Sequence, residues 1–173
     1  MTRYILVLMA ALTLSCEKDE DDILFIIPFP NLDFIIQAGL NPLDTWYFNI
    51  DNVPTNAVAL LSGNGIDTAS IKSLVPHIGR LTSVFGDADY QFVYEIAIYL
   101  CEAGNQSPKC GKEIFYRFPL PNNPGAFVDL IPNPVEVKDL ILRDKVNVQV
   151  MLRFVTPPPQ FVDSRVELEF AVK

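Results

Sequence analysis

Four stretches of this chain alternate apolar and polar residues with a period of two, which commits them to strands and the chain to a sheet. Residues 90–100 set Phe92, Tyr94, Ile96, Ile98 and Leu100 on one face, with Gln91, Glu95 and the following Cys101 opposite. Residues 146–154 set Val146, Val148, Val150, Leu152 and Phe154 against Asn147, Gln149 and Arg153. Residues 165–172 alternate Val166, Leu168, Phe170 and Val172 with Arg165, Glu167 and Glu169, and residues 45–51 alternate Trp46, Phe48 and Ile50 with Thr45, Tyr47 and Asn49. One apolar and one polar face per strand is the pattern of an antiparallel sheet with one side in water.

Weaker strands are expected at 23–29, 33–37, 58–61, 80–85, 114–118 and 127–131. Proline punctuates them: Pro28, Pro42, Pro54, Pro76, Pro119 and Pro132 fall near expected strand ends, and Pro157-Pro158-Pro159 must form a rigid connection between the last two strands. One short helix is expected where Asn133 can cap, Pro134 fits the first turn, and Val137, Leu140 and Ile141 share a face; a single turn is expected after Asp67. At 173 residues and 50% hydrophobic, the chain supports one domain with a sizeable core. The expected fold is all-β: an antiparallel β-sandwich of immunoglobulin-like architecture, spanning residues 23–173. A net charge of −8 argues against nucleic acid as a partner, because phosphates need a basic face.

The first 22 residues carry a different signal. Arg3 is followed by an apolar run from Tyr4 to Leu14 and then by Ser15 and Cys16. As a helix the run rises only about 17 Å, roughly half of the ~30 Å hydrocarbon core, so residues 1–15 read as a secretory leader rather than a spanning helix. Thr13-Leu14-Ser15-Cys16 resembles a bacterial lipobox, with Thr13 where the family usually has leucine and Leu12 and Leu14 flanking it. The resemblance implies that Cys16 is acylated and becomes the first residue of the mature chain. The next residues, Glu17-Lys18-Asp19-Glu20-Asp21-Asp22, resemble the export signal of surface lipoproteins of Bacteroidota, in which Lys18, Asp19 and Glu20 would direct the protein to the outer face of the outer membrane. Physically, residues 16–22 are also a solvated tether whose like charges repel and extend it. Acyl chains on Cys16 would give stable membrane attachment. The body resembles small β-sandwich lipoproteins of the same group through Arg80-Leu-Thr-Ser-Val-Phe-Gly86, the helix-to-strand step near Asp139, and the proline run before the final amphipathic strand. That likeness bears on fold alone.

Two further cysteines, Cys101 and Cys110, flank Glu102-Ala-Gly-Asn-Gln-Ser-Pro-Lys109, a hairpin loop by composition. Outside the cytoplasm such a pair is read first as a disulfide, which would stabilise by roughly 2.5 kcal/mol on the loop-entropy model. Metal ligation is the poorer reading, because two thiols with no nearby histidine cannot complete a tetrahedral site.

Signs of catalysis are sparse. His77 is the only histidine and reads as a turn residue; there is no H-E-x-x-H and no nucleophile elbow. Gly63-Asn64-Gly65 reads as a turn, since Thr68 stands where a dinucleotide fingerprint needs glycine. Asp87 and Asp89 offer two oxygen ligands where calcium wants six to eight, and turn chemistry accounts for them equally. Asp67-Thr68-Ala69 matches the short O-glycosylation pattern of the same bacterial group, with Thr68 as acceptor, while Asp67 reads equally as a helix cap. No enzymatic activity, cofactor or metal is expected. Trp46 and Tyr47 point to opposite faces of one strand, Trp46 inward and Tyr47 half-exposed. The expected function is that of a lipid-anchored accessory lipoprotein docking through a sheet face or edge onto a protein partner in an outer-membrane complex. The alternative is a surface glycan-binding module of a nutrient-uptake system, for which exposed coplanar aromatics are the requirement.

Overall fold

A computed structural model describes residues 23–173. The expected β-sandwich is present: nine strands, all paired antiparallel, form one sheet curled into two facing layers. The strands are β1 (Phe25–Pro28), β2 (Leu32–Ile36), β3 (Thr45–Pro54), β4 (Leu74–Ser83), β5 (Val93–Glu102), β6 (Lys112–Arg117), β7 (Phe127–Pro132), β8 (Lys145–Phe154) and β9 (Val162–Val172). Their order is β1-β9-β4-β7-β6-β5-β8-β3, with β2 lying after β1 along the same side of β9. The layers join where β6 meets β7, through Phe115 opposite Pro132 and Tyr116 opposite Ile131. The two ends of the sheet, β2 and β3, come together along one seam without pairing, Phe34 tilted against Phe48 at 5.1 Å.

The core lies between the layers. Phe170 of β9 meets Phe115 of β6 at 6.3 Å and Phe29 at 4.9 Å. Phe115 fits because Gly79 of β4 faces it: a Cβ at Gly79 would stand 2.7 Å from the ring. Tyr90 is fully buried and donates its hydroxyl hydrogen to Ser164 Oγ at 3.1 Å. Burial pushes the Tyr90 phenol up to about 12, against the smaller opposite pull of the Ser164 hydrogen bond. The folded value exceeds the unfolded one, so the neutral phenol's stabilisation is complete below the unfolded pKa of about 10 and is lost as pH rises from there through about 12. Urea midpoints measured from pH ~9 to ~12 should therefore fall, and Tyr90→Phe should flatten that decline.

Several details differ from the pattern-based reading. The expected strand at 58–61 is a helix, α1 (Ala57–Gly63), with Ala57 and Leu61 buried one turn apart. Gly63-Asn64-Gly65 makes the expected turn, and that turn is the stop of this helix: the Asn64 side chain donates to Leu60 O, Gly65 has φ of 72°, and the Ile66 amide reaches back to Leu61 O. The second helix, α2 (Lys138–Ile141), starts later than Asn133 suggests. Asn133 instead donates its amide to Glu113 across the β6–β7 junction, and the Glu136 carboxylate accepts from the amides of Leu74 and Lys138. Those tertiary hydrogen bonds hold 133–137 out of helical geometry. Pro76 and His77 lie inside β4, at a bulge between Pro76 and Ile78, and not at a strand end or in a turn. A bulge is where a strand tolerates proline's missing N–H. A second bulge between Val93 and Glu95 turns Tyr94 out of the core.

The outer face of the β3–β8–β5–β6 layer departs most from expectation. Asn147 and Gln149 are buried, as are Ala97, Tyr99, Cys101 and Met151. The β5–β6 loop folds over that face, clamped at its base by the Cys101–Cys110 disulfide, with Cα atoms 5.4 Å apart.

Candidate functional site

Strand direction sorts the loops into two poles. The described chain enters beside Val172, which also lies opposite Leu74, while Pro54 and Glu102 flank the start of β8. Segments 55–73, 103–111 and 133–144 therefore gather at this entry pole with the final residue, Lys173. Segments 37–44, 84–92, 118–126 and 155–161 gather at the far pole.

The poles differ sharply in chemistry. Every lysine of the described chain, Lys72, Lys109, Lys112, Lys138, Lys145 and Lys173, stands at the entry pole. The far-pole segments contain no lysine or arginine but carry Asp44, Asp87 and Asp89. They also expose large apolar side chains: Leu43 at 92%, Phe85 at 72%, Phe161 at 66%, Val155 at 59% and Phe118 at 48%. Neighbouring strand ends add Tyr94 and Phe127. Scattered exposed apolar residues are ordinary on any surface, whereas their concentration at one end, on loops, marks a contact surface.

The far-pole loops brace one another. The Gly39 amide donates to Pro158 O at 2.9 Å, Val155 to Phe92 O at 2.8 Å, and Tyr90 to Gly125 O at 3.2 Å. Gln91 Nε2 donates to Asn123 Oδ1 at 3.3 Å and Gln160 Nε2 to Asp87 O at 3.4 Å. Prolines at 42, 119, 121, 124 and 157–159 restrict their backbones further. Among these loops lies an open groove of about 400 Å³, lined by Tyr94, Leu120 and Val155 together with Gln91, Asn122 and Asn123. Tyr94 meets Phe118 edge-on at 5.0 Å and lies under the Arg153 guanidinium at 5.5 Å. Arg153 is also paired with Glu95 at 3.1 Å. On the outer surface of the other layer, Arg165 donates to Asp33 at 2.7 Å, which lowers the Asp33 carboxyl and raises the guanidinium.

The residues singled out in the sequence fall elsewhere. Cys16, Lys18, Asp19 and Glu20 lie outside the described residues. Cys101 and Cys110 are joined, and their loop seals a polar network. Gln149 donates to Asn49 Oδ1 and Ser107 O and accepts from the Lys109 amide; Asn147 donates to Asp51 Oδ1 and accepts from the Asn52 amide. Beside it, Tyr99 donates to Glu113 Oε2 at 2.9 Å, and burial followed by that carboxylate pushes the phenol up. Thr68 opens a 3-10 turn (Thr68–Ser70) that Asp67 caps by accepting from the Ala69 amide. Asp87 accepts from Ser83 and Asp89 from Gln91, and no group of three or more metal-ligating side chains forms among the described residues. Trp46 packs on the core with its indole N–H on Asn41 O, and Tyr47 packs on the outer cluster.

Sequence reading passed over the far-pole residues, yet a signal exists. Leu43 follows Pro42, Phe118 precedes Pro119, and Phe161 follows the proline run. A large apolar residue next to proline in a connection has no core-facing strand to occupy. Comparison with protein-family models, with curated proteins and with solved structures gave no match.

Proposed function

We propose that this chain is a lipid-anchored lipoprotein of the outer-membrane surface, without catalytic activity, that presents its far pole to a protein partner in an outer-membrane complex. The observation that carries this reading is the gathering of Leu43, Phe85, Phe118, Val155 and Phe161 on mutually braced loops opposite the point of chain entry. The lipobox resemblance at Cys16 and the acidic run after it supply the anchor, and a tether attached at one pole leaves the other facing outward. Braced loops carrying aromatic rings lose little freedom on binding, which favours affinity. The carboxylates Asp44, Asp87 and Asp89 fit a partner with an apolar pocket rimmed by cations.

Crosslinking on intact cells followed by purification of the anchored chain should recover one dominant protein partner. Phe85→Asp with Phe161→Asp should each weaken that association by about 2 kcal/mol, roughly thirtyfold, while leaving the thermal unfolding midpoint nearly unchanged. Undiminished recovery with both substitutions would overturn the assignment of this surface. A glycan array distinguishes the second reading, favoured by the groove that Tyr94 lines with Gln91, Asn122 and Asn123. Tyr94 and Phe118 meet at 71° rather than lying coplanar, so they do not form the flat platform on which sugars stack.

A further inference from the structure

We infer that the entry pole is a membrane-facing base, which seats the domain upright on an anionic lipid surface with the far pole outward. The inference rests on the proposed lipid anchor. Between Cys16 and Ile23 lie six residues, a reach of at most about 25 Å, so the pole where the chain enters stays near the membrane.

The charge distribution then sets which way the domain stands. Residues 23–173 hold 16 carboxylates and 11 cations. At the entry pole the two signs balance, at seven each, so the whole excess negative charge belongs to the rest of the domain. The pole's carboxylates are also largely committed. Asp139 pairs with Lys112 at 2.7 Å and Glu102 with Arg143 at 2.9 Å. Glu136 holds backbone amides, Asp67 caps its turn, and Asp51 accepts from the side chains of Gln106 and Asn147. Lys72, Lys145 and Lys173 make no side-chain hydrogen bond or ion pair among the described residues. Lys72 and Lys173 stand at the entry point itself, where the Lys72 amide donates to Lys173 O and the Leu24 amide to Val172 O. Ile23, Leu24 and Val58 add exposed apolar surface to the same pole.

A body with one acidic end and one lysine-bearing end turns the acidic end away from negative headgroups. The field acts within about a Debye length of ~8 Å at physiological salt, a distance the tether allows. The partner of this surface is therefore an anionic bilayer, and its effect is orientation.

The test uses the full mature chain in vesicles of phosphatidylcholine alone and of phosphatidylcholine with phosphatidylglycerol in equal parts. Brief acetylation of amines, read by peptide mass spectrometry, should modify Lys72, Lys145 and Lys173 several-fold more slowly on the anionic vesicles. High salt should abolish the difference, and carboxyl labelling of Asp87 and Asp89 should be the same on both. The substitutions Lys72→Glu and Lys173→Glu together should remove the protection of Lys145. Equal lysine labelling on the two vesicles, or protection that survives high salt, overturns the inference. An intact mass without acyl chains on Cys16 overturns the anchor and the upright domain together, whereas an acylated chain with equal labelling overturns the orientation alone.

Discussion

Phe115→Ala is expected to lower the unfolding free energy by about 3–5 kcal/mol, the range for emptying a large aromatic site in a core. Phe115 is fully buried, closes the space between the layers against Phe170, and sits on the strand that joins them. Gly79→Ala approaches the same contact from the other side. Its Cβ would stand 2.7, 2.9 and 3.0 Å from three ring carbons of Phe115, so the ring or β4 must shift, at a cost of about 1–3 kcal/mol. Because both changes act on one contact, they should not add. Gly79→Ala combined with Phe115→Leu should be less destabilising than the two single effects summed, since the smaller side chain makes room for the new methyl. Urea denaturation of the four proteins forms the cycle, and strict additivity would show that the cost of a side chain at Gly79 does not arise from its contact with Phe115.

The second large effect concerns the β5–β6 loop. Replacing Cys101 and Cys110 together by alanine should cost about 2.5 kcal/mol on the loop-entropy model for a short closed loop. The disulfide also keeps in place a cover over Asn147 and Gln149. Gln149→Ala should cost about 1–3 kcal/mol with the disulfide intact, since it strips partners from the Lys109 amide and the Asn49 side chain. Without the disulfide the loop can lift, water can reach those groups, and the same substitution should cost less. Denaturant midpoints of the four combinations measure this coupling. An unchanged cost of Gln149→Ala in the alanine pair would mean that the loop stays closed without its covalent clamp.

The long alternating strands were legible because their inward positions bury nearly continuous rows of Val, Ile, Leu and Phe. The outer faces were not. Gln91 and Arg153 meet water as polar residues should, but Asn147 and Gln149 read the same way and are buried under a loop folded back from the neighbouring hairpin. Nothing local distinguishes an amide that meets water from one that meets another strand's loop. The misread helix had a wider consequence. In an antiparallel sheet each strand reverses the chain, so taking α1 for a strand exchanges the pole assigned to every later loop. With that one error Lys72, Lys109, Lys138 and Lys173 change pole together, and Leu43, in a loop before α1, separates from Phe85, Phe118 and Phe161. The two poles were thus readable in principle from strand order and loop composition, once the stop at Gly63-Asn64-Gly65 had been recognised as the end of a helix.

The seam between β2 and β3 bears on how the protein tolerates crowding. Because β3 pairs with β8 alone, its other edge presents Thr45-Trp-Tyr-Phe-Asn-Ile50, a run without charge or proline, of the kind that templates strand addition. Asp44 and Asp51 flank this run. If two copies approached edge to edge with Thr45 of each opposite Ile50 of the other, the antiparallel register would set Asp44 directly against Asp51 at both ends. Like charges placed opposite each other across strands destabilise the pair. The unpaired edge is therefore protected by two flanking carboxylates as well as by β2 packed beside it, and salt concentrated enough to screen the carboxylates would loosen their share of that protection.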